Sequence, residues 1–251
     1  MHVQVEREPS SVGSLKNTAL WLFDLDNTLY DAAGGVFHEI HRRMAAFIAE
    51  RLHVSSDEAT RIQNAYWREY GTTFLGLYRQ CGIHPEEFFH ATHDFDLTNL
   101  VIPVFAAPSV RALLSALSGR KVVVTNGPHE YACRVLSALG IRDSFEAVFS
   151  PEQMRFAGTW YCKPDKRVFL RILAHCRVPA TRATLVDDGL NNLKAAKDLG
   201  IKTLWCAGRV TGRLSRRPTF VDYAVHDVSE LAKIAVKPRS AAQEMHRVER
   251  R

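Results

Sequence analysis

The sequence predicts an α/β protein built on a doubly wound parallel sheet, with a block of helices inserted after the first strand. Three observations carry this. Short, continuously apolar runs of strand length recur along the chain, helical patterns separate most of them, and one long stretch holds helical patterns alone. Runs apolar on both faces are the strands of a parallel sheet covered by helices on each side.

The apolar runs fall at residues 19–23, 121–125, 147–150, 183–187 and 202–206. Helices are predicted over 110–117, 130–139, 166–176 and 192–199, with Gly140 and Gly200 as natural stops for the second and the last. Between about Asp31 and Pro103 no such strand occurs. Phe37, Ile40, Met44, Phe47 and Ile48 share one helical face instead. Ser55 and Glu58 have capping-box spacing and open a second helix that carries Ile62, Ala65, Tyr66 and Tyr70 and ends at Gly71. Residues 86–92, after Pro85, form another. The expected organisation is therefore a flexible tail over 1–17, a core over 18–30 and 104–233, a helical insertion over 31–103, and a basic tail over 234–251.

Composition narrows the function classes. With 251 residues, 46% of them hydrophobic, the chain can bury a full core, and disorder throughout is excluded. No apolar run reaches membrane-spanning length, and the first residues lack a signal-peptide pattern, so the expected location is the cytoplasm. Five scattered cysteines without a CxxC pair argue against a disulfide framework or structural zinc, and imply reduced, mostly buried thiols. The net charge of +6 is spread over loose groups, Arg209, Arg213, Arg216 and Arg217, then Lys237, Arg239, Arg247, Arg250 and Arg251. Without a binding motif beside them, these suit attraction of small anions rather than nucleic acid.

The chemistry sits at predicted strand ends. Asp24 and Asp26 follow the first strand in Phe23-Asp24-Leu25-Asp26-Asn27-Thr28-Leu29-Tyr30. Ligands of doubly wound folds gather at the carboxyl ends of strands, and carboxylates placed there are costly unless paired, protonated or metal-bound. Thr125, Asn126 and Gly127 end the second strand, where a hydroxyl and backbone N–H groups can hold phosphate oxygens. Lys163, in Cys162-Lys163-Pro164-Asp165, offers a point charge before a helix. Asp187 and Asp188 end the fourth strand, followed by Gly189 and Asn192.

These four motifs, in this order, resemble those of the haloacid dehalogenase-like hydrolase superfamily, beginning with its DxDxT signature. The resemblance implies a Rossmann-like core and a magnesium-dependent phosphatase. By that resemblance Asp24 is the nucleophile that becomes an aspartyl-phosphate, and Asp26 protonates the leaving oxygen and then deprotonates the attacking water. Thr125, Asn126 and Lys163 would bind the phosphoryl group. Asp24, Asp188, Asp187 and the Asp26 carbonyl would hold Mg2+, with Thr28 and Asn192 orienting the acids. Many relatives carry Ser where Gly189 stands, so one loop contact to a carboxylate is lost here. The insertion occupies the place of the family's mobile cap.

Tyr66-Trp67-Arg68-Glu69-Tyr70-Gly71-Thr72-Thr73, with Gly76-Leu77, looks like the pyrimidine 5'-nucleotidase-type branch of the same superfamily. The substrate that this implies is a pyrimidine nucleoside 5'-monophosphate. Tyr70 or Phe74 could stack on the base, and Thr72 or Thr73 could hydrogen-bond its edge. The alternatives are phosphoglycolate or a sugar phosphate as substrate, phosphomutase chemistry, and a binding protein on an inactive core. A haloalkanoate dehalogenase would need neither Asp26 nor the Asp187–Asp188 pair. His38 and His41 have metal-ligand spacing but no third ligand, so a solvated or capping role is expected, as for His84, His90 and His93.

Overall fold

The computed structural model describes residues 15–97, 107–208 and 217–235. Most of both expected tails, the boundary at residues 103–104, and Arg209, Arg213 and Arg216 lie outside the described residues. The elements are β1 (Leu20–Phe23), α1 (Val36–Leu52), α2 (Ser56–Tyr70), α3 (Thr73–Cys81), α4 (Pro85–His93), α5 (Ala107–Ala116), β2 (Arg120–Val124) and α6 (His129–Ala138). They continue with β3 (Ala147–Phe149), α7 (Lys166–Cys176), β4 (Ala183–Asp187), α8 (Leu190–Lys197), β5 (Lys202–Cys206), β6 (Tyr223–Val225) and α9 (Leu231–Ala235). No described helix is long and apolar enough to cross a membrane.

The six strands form one sheet in the order β3-β2-β1-β4-β5-β6, and every pairing is parallel. This is a doubly wound α/β fold of Rossmann type. Side chains alternate along each strand, so neighbours enter opposite layers. Trp21, Phe23, Val123, Val186 and Leu204 pack in a core with α5, α6 and α9, and Leu20, Leu22, Val122, Val124 and Leu185 pack in a core with α7 and α8. Burial of such side chains contributes about 1.5–3 kcal/mol each, which makes these two layers the main source of stability.

Connectivity places the site. β1 lies between β2 and β4, with Phe23 in register with Val123 on one side and Val186 on the other. The chain leaves these strands at one edge, and this brings the segments after residues 23, 124 and 187 together. All strands run the same way, but successive strands are added on one side of β1 up to β3 and on its other side from β4 onward, so the switch point where such sheets bind ligands lies between β1 and β4.

Helices α1 to α4 lie between β1 and β2 in the chain and share their own apolar core of Phe47, Ile48, Phe74, Leu77, Phe88 and Phe89. The Ser55 cap forms as expected, its Oγ accepting from the Glu58 N–H at 3.3 Å. Gly71 ends α2 in the left-handed region at φ 79°. Three features depart from expectation. Leu15, expected in the tail, is buried against the sheet core. Helix α3 forms where no element is expected, and Gly76 lets it lie so close to α2 that a Cβ there would come within 2.3 Å of the Tyr66 ring. The edge strand β6 has only three residues and no continuous apolar run.

Candidate active site

Asp24 leaves β1 with its N–H bonded to the Val186 carbonyl at 2.9 Å, so backbone pairing extends into the site. Its Oδ1 accepts from Lys163 Nζ at 2.6 Å, and its Oδ2 accepts from the Thr28 hydroxyl at 3.2 Å. Lys163 is only 2% exposed, and its Nζ also donates to Asp187 Oδ2 at 2.8 Å. Asp187 is fully buried, and its Oδ1 accepts from the Gly189 N–H at 2.8 Å and from Asn192 Nδ2 at 2.9 Å. A Cβ at Gly189 would stand 2.9 Å from Asn192 Nδ2 and 3.0 Å from Asp187 Oδ1, so a larger residue here would shift these two side chains.

Asp26 is held differently. Its Oδ1 accepts from the Tyr30 hydroxyl at 2.5 Å and from the Tyr131 hydroxyl at 2.6 Å. Tyr30 was within reach of sequence reasoning, four residues on, but Tyr131 was not. The Thr125 hydroxyl accepts from the Gly127 N–H at 2.9 Å and keeps its own proton to donate. The Asp188 carbonyl accepts from Trp205 Nε1 at 3.0 Å, a support from a residue 17 positions on that no motif singles out.

The Asn126 side chain has an engagement of its own, beside the backbone N–H groups expected to meet phosphate at this strand end. Its Oδ1 accepts from the Lys163 N–H and its Nδ2 donates to the Lys163 carbonyl, both at 2.9 Å. The amide is thereby committed to the lysine backbone rather than to an anion.

Electrostatics follow from burial. Desolvation pushes the Asp24 carboxyl well above the usual carboxylate range; Lys163 opposes this, and Asp187 and Asp188 add to it. Burial, then Asp187, pushes Asp188 up to about 7 against the pull of Lys163. Burial also raises Asp26, while the tyrosine hydrogen bonds partly offset it. Burial alone would depress the Lys163 ammonium, but Asp187 and Asp24 outweigh it and hold it above its ordinary value.

A divalent cation fits this donor set. One carboxylate oxygen each from Asp24, Asp187 and Asp188 lie within 4.8 Å of one another. One lysine cannot balance the charges of three ionised carboxylates, and Asp187 adds to the burial that raises Asp188. Two of the three already hold Lys163, so Asp188 has the carboxylate freest to take the ion.

The predicted insertion residues are not brought together in the same way. Phe74 is buried edge-on against Phe89, ring centroids 4.9 Å apart, and lies near Trp160. The Thr73 hydroxyl donates to the Gln63 carbonyl at 3.3 Å. Tyr70 accepts from Gln80 Nε2 at 2.5 Å and lies under the Arg79 guanidinium. Thr72 Oγ1 lies 3.6 Å from Cys162 Sγ, next to Lys163 in the chain. Of the histidines, His41 pairs with Gln63, and His93 is buried edge-on against Tyr131 with ring centroids 5.1 Å apart. A cavity of about 180 Å³ separates α4 from the start of α6, lined by Glu86, His90, Tyr131, Arg134 and Glu152 among others. Tyr131 joins this cavity to Asp26.

Comparison with known proteins agrees with the fold. A family model described as haloacid dehalogenase-like hydrolase matches residues 19–200. Phosphate metabolism protein 8 of Saccharomyces cerevisiae is 25% identical over 193 residues, 72% of this chain. The matched segment spans 59% of the length of that yeast protein. Among solved structures, a HAD phosphatase from Thermococcus onnurineus is similar at a TM-score of 0.58 and 21% identity, over 86% of this chain and 97% of its own. The putative HAD-hydrolase YfnB from Bacillus subtilis, bound to magnesium, matches at a TM-score of 0.56 and 19% identity, over 87% of this chain and 98% of its own. At these identities the structural matches speak to the fold alone.

Proposed function

Since this chain belongs to the haloacid dehalogenase-like hydrolases, we propose that it is a magnesium-dependent phosphomonoester hydrolase working through an aspartyl-phosphate on Asp24. The observation that carries this reading is the buried bridge from Lys163 to both Asp24 and Asp187 at the switch point of the sheet. Residues 18–30 and 104–233 are taken as the catalytic core, and 31–103 as a cap.

An Asp24 carboxylate oxygen attacks phosphorus in line with the leaving oxygen. The bond from phosphorus to that oxygen breaks, and Asp26 transfers its proton there. Burial favours the protonated form of Asp26 that this step needs, and Tyr30 and Tyr131 fix its orientation. Asp26, now ionised, takes a proton from a water, and the resulting hydroxide attacks the phosphorus of the aspartyl-phosphate. Phosphate leaves and Asp24 is restored. Lys163 and the Thr125 hydroxyl face the charge that spreads over the phosphoryl oxygens. Mg2+, held by Asp24 and Asp188 with Asp187 beside them and by the Asp26 carbonyl, would supply further neutralisation of that charge. The reduced state of all five cysteines suits a cytoplasmic setting.

The substrate we propose is a pyrimidine nucleoside 5'-monophosphate. The support is the resemblance over residues 66–73, whose last turn lies against the chain carrying Lys163. Tyr70 and Thr72 are the residues assigned to base contact, since Phe74 and Thr73 are engaged in the packing of the insertion. The polar cavity beside Tyr131 favours a second reading, a sugar phosphate whose hydroxyls meet those side chains.

The test is phosphate release, with magnesium and with a chelator, from an aryl phosphate, UMP, CMP, AMP, GMP, phosphoglycolate and sugar phosphates. Asp24→Asn should abolish release from all of them. Pyrimidine nucleotides should lead by about tenfold, or roughly 1.4 kcal/mol of transition-state binding. If sugar phosphates lead, the second reading replaces the first. Wild-type turnover in Asp24→Asn would sink the mechanism.

A further inference from the structure

The turn carrying Lys163 is gripped from two sides, and only one of them belongs to the sheet. On the sheet side, the Asn126 amide closes its two 2.9 Å hydrogen bonds on the Lys163 N–H and carbonyl. On the other side, the Gly71 turn between α2 and α3 presses on the same backbone. A Cβ at Gly71 would stand 3.1 Å from Pro164 Cδ and 3.4 Å from the Lys163 carbonyl oxygen. Thr72 Oγ1 faces Cys162 Sγ at 3.6 Å. Trp160 and Cys162, which lead into Lys163, are buried in the apolar core of the insertion with Phe74 and Phe89, not in either core of the sheet.

We propose that the Gly71–Thr72 turn and Asn126 are positioning groups for Lys163, so that the insertion acts on the reaction through the lysine as well as through any contact with substrate. This rests on the phosphatase reading above. The physical argument is one of tolerance. Asp24 and Asp187 are fixed by strand ends, while the ammonium that must stay within hydrogen-bond reach of both sits on a flexible stem. The backbone position of Lys163 sets where that buried stem starts, and Asn126 and the insertion set this position together. A movement of the insertion therefore reaches the nucleophile through the backbone of the Lys163 turn, apart from any contact that the insertion makes with substrate.

The experiment uses the full chain with magnesium, p-nitrophenyl phosphate as substrate, and four variants: Gly71→Ala, Gly82→Ala, Asn126→Ala and Asp24→Asn. Gly82 is the matched control. It ends α3 in the same left-handed region, φ 69° against 79°, but a Cβ there meets nothing within 4 Å. Both glycine variants thus carry the same backbone cost, and only Gly71→Ala pushes on Pro164. The expected result is a fall in kcat of about tenfold for Gly71→Ala and Asn126→Ala with KM within about threefold of wild type, as small misplacements of catalytic groups produce. Gly82→Ala should keep wild-type kcat at a melting temperature close to that of Gly71→Ala. Equal loss of kcat in the two glycine variants, or a change confined to KM, overturns the proposal. If Gly71→Ala does not fold, Thr72→Val takes its place, with a kcat-only loss of about threefold expected and an unchanged kcat overturning the proposal. Wild-type turnover in Asp24→Asn would remove the underlying phosphatase reading. Loss there beside an unchanged Gly71→Ala removes the positioning role alone.

Discussion

Tyr131 donates a 2.6 Å hydrogen bond to Asp26 across a separation of 105 residues, and the two meet only because β1 and β2 are neighbours in the sheet. With Tyr30 bonded to the same oxygen, the acid is fixed in direction. In the proposed reaction its proton matters most when the leaving oxygen is basic. Asp26→Asn should therefore lose about 10²–10⁴-fold on an alkyl phosphate and much less on p-nitrophenyl phosphate. Tyr131→Phe should follow the same pattern at about tenfold, the value of one hydrogen bond to the neutral acid. Steady-state kinetics over a leaving-group series checks both, and equal losses across the series would count against Asp26 as the acid.

Removal of Lys163 leaves Asp24 and Asp187 facing each other in a buried site. Lys163→Met should cost about 3–5 kcal/mol in the metal-free protein, because it strands uncompensated charge rather than because the pair itself contributes that much. Urea unfolding in the presence of a chelator measures this, and added magnesium should return part of the loss.

Magnesium should stabilise the wild-type chain by mass action, about 2.7 kcal/mol at a hundred times its dissociation constant. Asp188→Asn, which removes the carboxylate least engaged with Lys163, should abolish most of that gain. Thermal melts of both proteins over a magnesium series give the comparison. An undiminished magnesium shift in the variant would place the ion elsewhere.

His93 contributes a pH dependence of its own. Burial pulls it from 6.5 down to about 3, so the folded chain keeps it neutral where the unfolded chain takes up a proton. Its contribution is therefore fully present above about pH 6.5 and is lost as pH falls, at about 1.4 kcal/mol per unit, or roughly 2 kcal/mol between pH 6.5 and 5. Chemical unfolding at these two pH values should show the wild type losing roughly 2 kcal/mol more than His93→Gln as pH falls, since other groups, Asp188 among them, titrate alike in both.

The sheet was legible because buried parallel strands are apolar without interruption, and the runs at 183–187 and 202–206 match β4 and β5 to the residue. Strand β6 was not, since a short edge strand with one fully buried residue carries no such run. Helix α3 was hidden by Gly71, two β-branched threonines and Gly76, a composition that suits a loop unless a close neighbour requires the glycine. In the site, Asp24, Lys163, Asp187 and Asp188 could be picked out because each is a charged residue at or near the end of a buried run. Tyr131, Trp205 and the true engagement of Asn126 could not, because each acts through a partner distant in the chain and none is unusual in its own segment.

The central claim is that phosphate passes through Asp24, and trapping the intermediate tests it most directly. The chain is mixed with magnesium and excess aryl phosphate, quenched in acid during turnover, digested, and the peptide containing Asp24 is weighed. The account predicts the added mass of one phosphoryl group on Asp24 in the wild type and none in Asp24→Asn, which should also release no phosphate. Turnover that continues in Asp24→Asn, or a phosphoryl group found on another residue, would contradict it.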